Sequence, residues 1–355
     1  MPSTDLTREG ARIVRICNSC RYCEGYCAVF PAIERRQTFL EGDLNYLANL
    51  CHNCSECYYA CQYAPPHEFA VNVPKLLAEI RAKSYRQYAW PGAFANGTAV
   101  SSIIAACVIL SVLLSGGVPA QHGGDFYRVV PHAVMVWAFG SVSAFVLIAF
   151  CLGFVRFWRN SGERPREFLN PGALVKALRD MLTLHYLDGG GGGCSYPGER
   201  QSQSRRWLHH LTFYGFALCF ASTTTAAFYH YALGWKAPYG YFSLPVILGT
   251  SGGIAMVAGT LGLLWLRQTR NPETQAGGQS GMDVAFLGLL FFASASGLLL
   301  LALRQTAAMG ILLIVHLGII LALFLTLPYG KFVHAIYRSA ALVKYALERS
   351  RGVRR

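Results

Sequence analysis

The stretch CNSCRYCEGYC, residues 17–27, and its repeat CHNCSECYYAC, residues 51–61, decide how this chain is read. Both follow C-x2-C-x2-C-x3-C, with Cys17, Cys20, Cys23 and Cys27 in the first and Cys51, Cys54, Cys57 and Cys61 in the second. Eight of the twelve cysteines fall in these two runs, so the thiols are concentrated for a purpose. The spacing is one that holds [4Fe–4S] clusters: three thiolates wrap three corners of a cubane, and the fourth turns toward a second cluster. On that crossed pattern Cys17, Cys20, Cys23 and Cys61 hold one cluster, and Cys51, Cys54, Cys57 and Cys27 hold the other. Structural zinc also uses CxxC pairs, but it needs two pairs, not two crowded quartets. A disulfide framework is disfavoured, because cysteines this closely spaced cannot all reach bridging geometry.

The flanking residues set the fold around the thiols. In the bacterial cluster-binding run a proline follows the fourth cysteine. Here Ala28 and Gln62 stand in those places, and prolines come later, at Pro31, Pro65 and Pro66. Between the runs Phe39, Leu40, Leu44, Leu47 and Leu50 recur at helical spacing, without strand alternation. Residues 1–91 are therefore expected to form an α-helical ferredoxin-type domain. Residues 74–88 read as its last helix, with Leu76, Leu77 and Ile80 on one face and Lys75, Arg81, Lys83 and Arg86 around it. That helix either packs on the cysteine domain or lies on anionic headgroups.

Beyond residue 91 the composition changes. The chain is 53% hydrophobic and only 14% charged, against about 25% charged in globular domains. The mean hydropathy is positive. Six segments reach spanning length, at roughly 93–115, 129–155, 207–232, 243–266, 282–303 and 308–330. Small residues such as Thr250, Ser251, Gly252 and Gly253 favour close helix contact in lipid, so a packed bundle follows. The expected divisions are 92–155 for the first two spans, 156–206 for a connection, 207–330 for four more spans and 331–355 for a basic tail.

The formal charge of +13 could suggest nucleic acid, but a one-sided excess beside a membrane explains it better. Nine Lys and Arg lie in the 153–206 connection and seven from Lys331 onward, with Arg267 and Arg270 on the same side. Only Arg128, Lys236 and Arg304 lie opposite. This asymmetry places both termini in the cytoplasm. Residues 1–16 carry no apolar core, so no secretory leader is expected there. Reduced thiols belong in the cytoplasm, which agrees with that orientation.

The 153–206 connection is long for a bundle and should have a role. Residues 173–187 look amphipathic, and a glycine run at 189–193 precedes Cys194, Tyr196 and Pro197. No strand precedes that run, so a phosphate cradle is not expected. A flexible joint or a partner-docking loop fits better, and Cys194 is either a cluster neighbour or a passive thiol. Cys107, Cys151 and Cys219, in apolar helices, read as packing residues.

The histidines are placed selectively. His209 and His210 open the third span, His230 closes it, His316 lies near the start of the sixth, and His334 follows its end. His316 and His334 are five helical turns apart and share a face. His209 and His230 differ by about 60° in azimuth, His210 and His230 by about 160°, so His209 is the better face-mate. Within each helix the members lie roughly 27–32 Å apart, about a bilayer's hydrocarbon thickness. The expected pairs are therefore His209 with His334 at the cytoplasmic end and His230 with His316 toward the outer end. Each pair could give two axial imidazoles to a b-type haem. His132, after Pro131, competes for the outer position, and His210 is an alternative at the inner one. His52, His67, His122 and His185 read as loop or surface residues. The fold class expected is all-α: a ferredoxin-type domain followed by a six-helix cytochrome-b-like bundle.

The twin cysteine runs, the six spans and the GGGGGCSYP connection together resemble the tricarballylate/citrate-utilisation protein B family over essentially the whole chain. The membrane half is also reminiscent of the cytochrome-b subunits of nitrate and heterodisulfide reductases. The resemblance implies a bacterial inner-membrane protein that takes electrons from a separate FAD-dependent tricarballylate dehydrogenase. It implies two [4Fe–4S] clusters on the eight cysteines, haem b, and membrane quinone as acceptor. Arg21, Arg35, Arg36, Lys75 and Arg81 read as a basic surface for an acidic partner. His334, Lys331 and Tyr329 read as a quinone site. No flavin or nicotinamide fingerprint is present, so the chain is not expected to transform the organic substrate itself. The rival readings are a tricarboxylate transporter with a redox-sensing cysteine domain, and a structural anchor. No internal repeat supports the transporter.

Overall fold

The computed structural model describes residues 3–116, 125–196, 200–277 and 280–352 of the 355-residue chain. His122, Pro197, Arg354 and Arg355 lie outside the described residues. The fold is mostly helical. The cysteine domain comprises α1 (Ser3–Cys20), α2 (Val29–Ile33), α3 (Glu41–Leu50), α4 (Glu56–Tyr59) and α5 (Val73–Tyr88). Arg21, at φ 58°, breaks α1 in the left-handed region, so the chain after Cys20 turns back into a loop. The helix expected between the cysteine runs starts at Glu41, where the Asp43 carboxylate accepts from the Leu40 N–H at 3.2 Å. Leu44, Leu47 and Leu50 are buried by it, whereas Leu40 sits before the helix, exposed. Helix α5 begins on Asn72, whose side chain accepts from the Lys75 N–H. Leu76, Leu77 and Ile80 are buried in the shared core with Ile13, Val14, Leu44 and Leu47. Of its two expected roles, packing on the cysteine domain is the one seen.

Among the described residues six helices are long and apolar enough to cross a membrane: α6 (Gly97–Ser115), α8 (His132–Asn160), α10 (Ser204–Leu233), α11 (Leu244–Gln268), α12 (Ser280–Leu303) and α13 (Met309–Thr326). The short α7 (Phe126–Val129) precedes α8. Many outward-facing residues are themselves apolar, among them Ile109, Leu113, Trp137, Phe220 and Phe292, as expected of a multi-pass membrane protein. Helices α10 and α11 meet along glycines. A Cβ on Gly252 would lie 2.7 Å from the Gly215 carbonyl oxygen, and one on Gly259 2.7 Å from the Thr212 amide. Hydrophobicity does not drive helices together in lipid, so this close approach is what allows the two backbones to pack.

Two further helices tie the halves together. Helix α9 (Pro171–Leu182) lies in the long connection, and α14 (Val333–Ser350) takes up most of the basic tail. Val333, Tyr337, Ala340, Ala341, Val343 and Leu347 of α14 join the core of the cysteine domain. Glu348 pairs with Arg36 and accepts from the Tyr46 hydroxyl at 3.1 Å. The tail is thus the seam between the cysteine domain and the bundle. The connection also forms a two-residue ribbon, β1 (Cys194–Ser195) against β2 (Gln201–Ser202), antiparallel.

Candidate metal centre

The structure brings the fourth cysteine of each run to the other run. Cys17, Cys20, Cys23 and Cys61 line one cavity of about 280 Å³, which Cys57 also lines. Cys27, Cys51, Cys54 and Cys57 line a second, smaller pocket. Burial and the facing thiols push Cys17, Cys23 and Cys27 up to about 12. Cys61 is the thiol that most perturbs Cys17 and Cys23, and Cys51 the one that most perturbs Cys27. Such thiols stay protonated unless a cation stabilises the thiolates, and a bound metal does that outright. Among the described residues no three Cys, His, Asp or Glu side chains converge as a single metal ion requires. The two sets of cysteines line separate pockets instead.

A larger cavity, about 390 Å³, lies between the second cysteine loop and the near ends of α10, α11 and α12. His209 and His334 both line it, with Phe216, Leu263, Phe286 and Leu290 as apolar walls. Their rings are 6.2 Å apart by centroid and nearly perpendicular, at 84°. Two metal–nitrogen bonds of about 2 Å plus half a ring on each side put trans imidazoles about 6 Å apart. The pair therefore has the separation that a metal between two axial histidines demands. His334 Nδ1 lies 2.6 Å from the Lys331 carbonyl oxygen, which orients its ring. Burial and the nearby Arg338 charge hold His334 well below the usual histidine range, so it is neutral and able to ligate. His210 turns elsewhere and stacks on Tyr214 at 5.6 Å.

The far-end histidines are arranged differently. His230 stacks on His132 at 4.1 Å and 21°, with Tyr127 edge-on to both. That separation is too short for trans imidazoles on one metal. His316 does not join them. Its Nδ1 lies 2.9 Å from the Ser296 hydroxyl, and its ring packs against Gly297. His230 and His316 therefore do not meet, whereas among the described residues His209 and His334 present the spacing that a shared metal requires.

Sequence comparison bears on both halves. A family model described as Citrate utilization protein B Fer4-like domain matches residues 10–87, and one described as Citrate utilization protein B matches residues 98–354. This chain belongs to the citrate utilization protein B family. Citrate utilization protein B of Escherichia coli is 49% identical to it over 98% of this chain and 94% of its own length. No solved structure matches it.

In this citrate utilization protein B family member the glycine-rich connection is packed at Gly189 and Gly193 and exposed at Gly190, Gly191 and Gly192. It covers the second cysteine run. The Ser195 N–H donates to the Cys54 carbonyl at 3.2 Å. The Ser195 hydroxyl, at 2.5 Å, and Gln201 Nε2, at 2.9 Å, donate to the two oxygens of buried Glu56. Gly189, at φ 58°, lets the turn approach Glu56, where a Cβ would lie 2.7 Å from its Cγ. Cys194 is fully buried beside Cys54. The glycines signalled only a special turn, and nothing in the sequence marked its target.

Other expected roles change. Arg36 pairs with Asp43 and Glu348, Arg35 donates to the carbonyls of Glu348 and Gly352, and Arg81 donates to the Cys51 carbonyl. Three of the five residues expected to form a basic docking surface are thus engaged within the chain. His52, expected at the surface, is 6% exposed and lines the large cavity. Burial together with Arg338 holds its imidazole well below the usual range. Lys331 lines the same cavity, in an ion pair with Asp283 at 2.8 Å. Tyr329 donates instead to the Trp90 carbonyl at 3.1 Å. Cys107 and Cys219 are half-buried, as packing residues are, while Cys151 faces outward.

Proposed function

We propose that this chain is a membrane electron conduit in citrate and tricarballylate utilisation. On this reading it takes electrons from the reduced flavin of a separate FAD-dependent tricarballylate dehydrogenase and delivers them to the membrane quinone pool. Two [4Fe–4S] clusters and a b-type haem, when bound, supply the one-electron carriers that such a role requires. The observation that carries the reading is the His209–His334 pair, set at metal-bridging separation in a cavity whose wall includes His52 and Asn53 of the second cysteine loop.

The chain's own residues divide the work. Cys17, Cys20, Cys23 and Cys61 would hold one cluster, and Cys27, Cys51, Cys54 and Cys57 the other. The first group sits in a partly open cavity beside Tyr22, which is 68% exposed, so it suits contact with a soluble donor. The second is more deeply buried beneath the glycine-rich ribbon, which excludes water. His209 and His334 would ligate haem iron, with the Phe and Leu walls shielding it. The cytoplasmic orientation given by the basic residues puts the cysteine domain where a soluble dehydrogenase can reach it.

Anaerobic purification tests this reading. The chain should hold about eight iron atoms in clusters and eight labile sulfides, with a b-type signal in reduced-minus-oxidised spectra. Membranes carrying it with the dehydrogenase should show cytochrome reduction on adding tricarballylate. Flat spectra in intact membranes overturn the haem assignment, and zinc in place of sulfide overturns the clusters. Uptake of tricarboxylate by proteoliposomes, with no cytochrome reduction, would favour a transporter.

A further inference from the structure

The large cavity carries more positive charge than its own acids balance. Arg81, Arg205, Arg267, Arg270, Arg338 and Lys331 line it, against Asp180 and Asp283. Asp283 is taken by Lys331. Asp180 feels His185, Arg349 and Arg179 instead. Four of the five arginines lean on neutral groups of the 51–55 loop. Arg81 and Arg338 both donate to the Cys51 carbonyl at 2.9 Å, and Arg205 donates to the Asn53 carbonyl at 3.0 Å. Arg270 donates to Asn53 Oδ1 at 2.7 Å and to the Thr274 carbonyl at 3.1 Å.

Carbonyls satisfy hydrogen bonds but do not cancel charge. Arg81 is 3% exposed, yet its Nε and Nη2 have no partner, and neither does Nε of Arg270. Buried donors without an acceptor are costly, and an occupant with anionic oxygens at this end would satisfy those of Arg81 and Arg270. The Phe216, Leu263, Phe286 and Leu290 walls ask for a large apolar body attached to those oxygens.

We infer that Arg81 and Arg270 are the carboxylate anchors of the group held between His209 and His334, fixing its acidic edge against the 51–55 loop. The inference rests on the haem reading above, and the carboxylates are then the two haem propionates. A free tricarboxylate could present the same oxygens, but it would leave the apolar walls uncovered. Both arginines act here as positioning residues. Their charge also disfavours the oxidised, more positive iron, so it raises the reduction potential of whatever iron the histidines hold.

The test uses the full-length chain purified anaerobically, with Arg81→Gln, Arg81→Lys and Arg270→Gln. Redox titration of the b-type band, haem per chain and the low-spin spectrum are read together. Both Gln variants should keep the bis-imidazole spectrum, titrate at a lower potential than wild type, and lose haem about tenfold faster, as for one charge-assisted hydrogen bond. Arg81→Lys should recover most of the potential, because it keeps the charge. Gln variants with wild-type potential and haem retention overturn the inference while leaving the haem reading intact. Should Arg81→Gln not accumulate, Arg270→Gln decides by the same readings. Wild-type protein without haem overturns the parent reading and the propionate assignment with it. Thermal stabilisation by tricarballylate in wild type, absent in Arg270→Gln, would then identify the free acid as occupant.

Discussion

The imidazoles of His209 and His334 stand 6.2 Å apart and nearly perpendicular, although 125 positions separate them in the chain. One opens a spanning helix and the other follows the last span, on α14. Their approach depends on α14 folding back beneath the bundle as part of the cysteine-domain core. This pair anchors the functional reading, and it is the first to test.

Replacing either histidine should remove the same pigment. His209→Ala and His334→Ala are each expected to abolish the low-spin b-type band, whereas His316→Ala, whose ring bonds Ser296, should leave it in place. Difference spectra of membranes with matched protein content decide this. Loss in His316→Ala with retention in His209→Ala would assign the iron elsewhere.

The crossed grouping of thiols makes a pairwise prediction. Cys17→Ser and Cys61→Ser should remove one cluster, and Cys27→Ser and Cys51→Ser the other, each lowering cluster iron from about eight to about four atoms. The EPR spectrum left behind should be identical within each pair and different between pairs. If Cys17→Ser and Cys27→Ser leave the same spectrum, each run serves its own cluster and the crossed assignment is wrong.

The glycine-rich cover should protect one cluster only. Gly193, at φ 107°, faces the Ser202 carbonyl so closely that a Cβ would collide with it. Gly193→Ala should therefore lift the ribbon, at a cost of about 1–3 kcal/mol in backbone strain. The expected result is faster loss of the cluster on Cys27, Cys51, Cys54 and Cys57 in air, with the other unchanged. Equal loss of both would mean that the ribbon stabilises the whole domain instead.

The seam between the halves rests on a largely buried ion pair. Arg36 and Glu348 side chains are 10% and 13% exposed, and Tyr46 also donates to the carboxylate. Glu348→Ala leaves Arg36 with Asp43 alone and takes the acceptor from Tyr46, and should cost about 1–3 kcal/mol, whereas replacing Arg36 and Glu348 together by apolar residues should cost less. Thermal unfolding of the detergent-solubilised chain measures the difference. A double variant less stable than Glu348→Ala would contradict the account.

Much of this molecule was legible as local pattern. The thiol spacing, the helical recurrence of Leu44, Leu47 and Leu50, and the six apolar lengths depend only on residues a few turns apart, and each recurs in the structure. The His209–His334 match was also legible, because helix period and span direction convert sequence separation into face and depth. The same arithmetic set His230 against His316, where the structure instead sets it against His132. Period and depth specify one helix's face but not which neighbour lies opposite.

Sequence alone thus determined the elements, their order and the chemistry of the thiols, since these follow from short-range spacing and from the need to bury or span apolar length. Tertiary structure alone decided which cations face solvent and which are buried. Arg36 and Arg81 read as a docking surface, and Arg205 and Arg338 only as part of a one-sided excess of charge, yet each ends on an acceptor brought in from a distant segment. A long cationic side chain takes its partner from packing, and packing is settled only when α14, the glycine-rich ribbon and the cysteine domain close on one another.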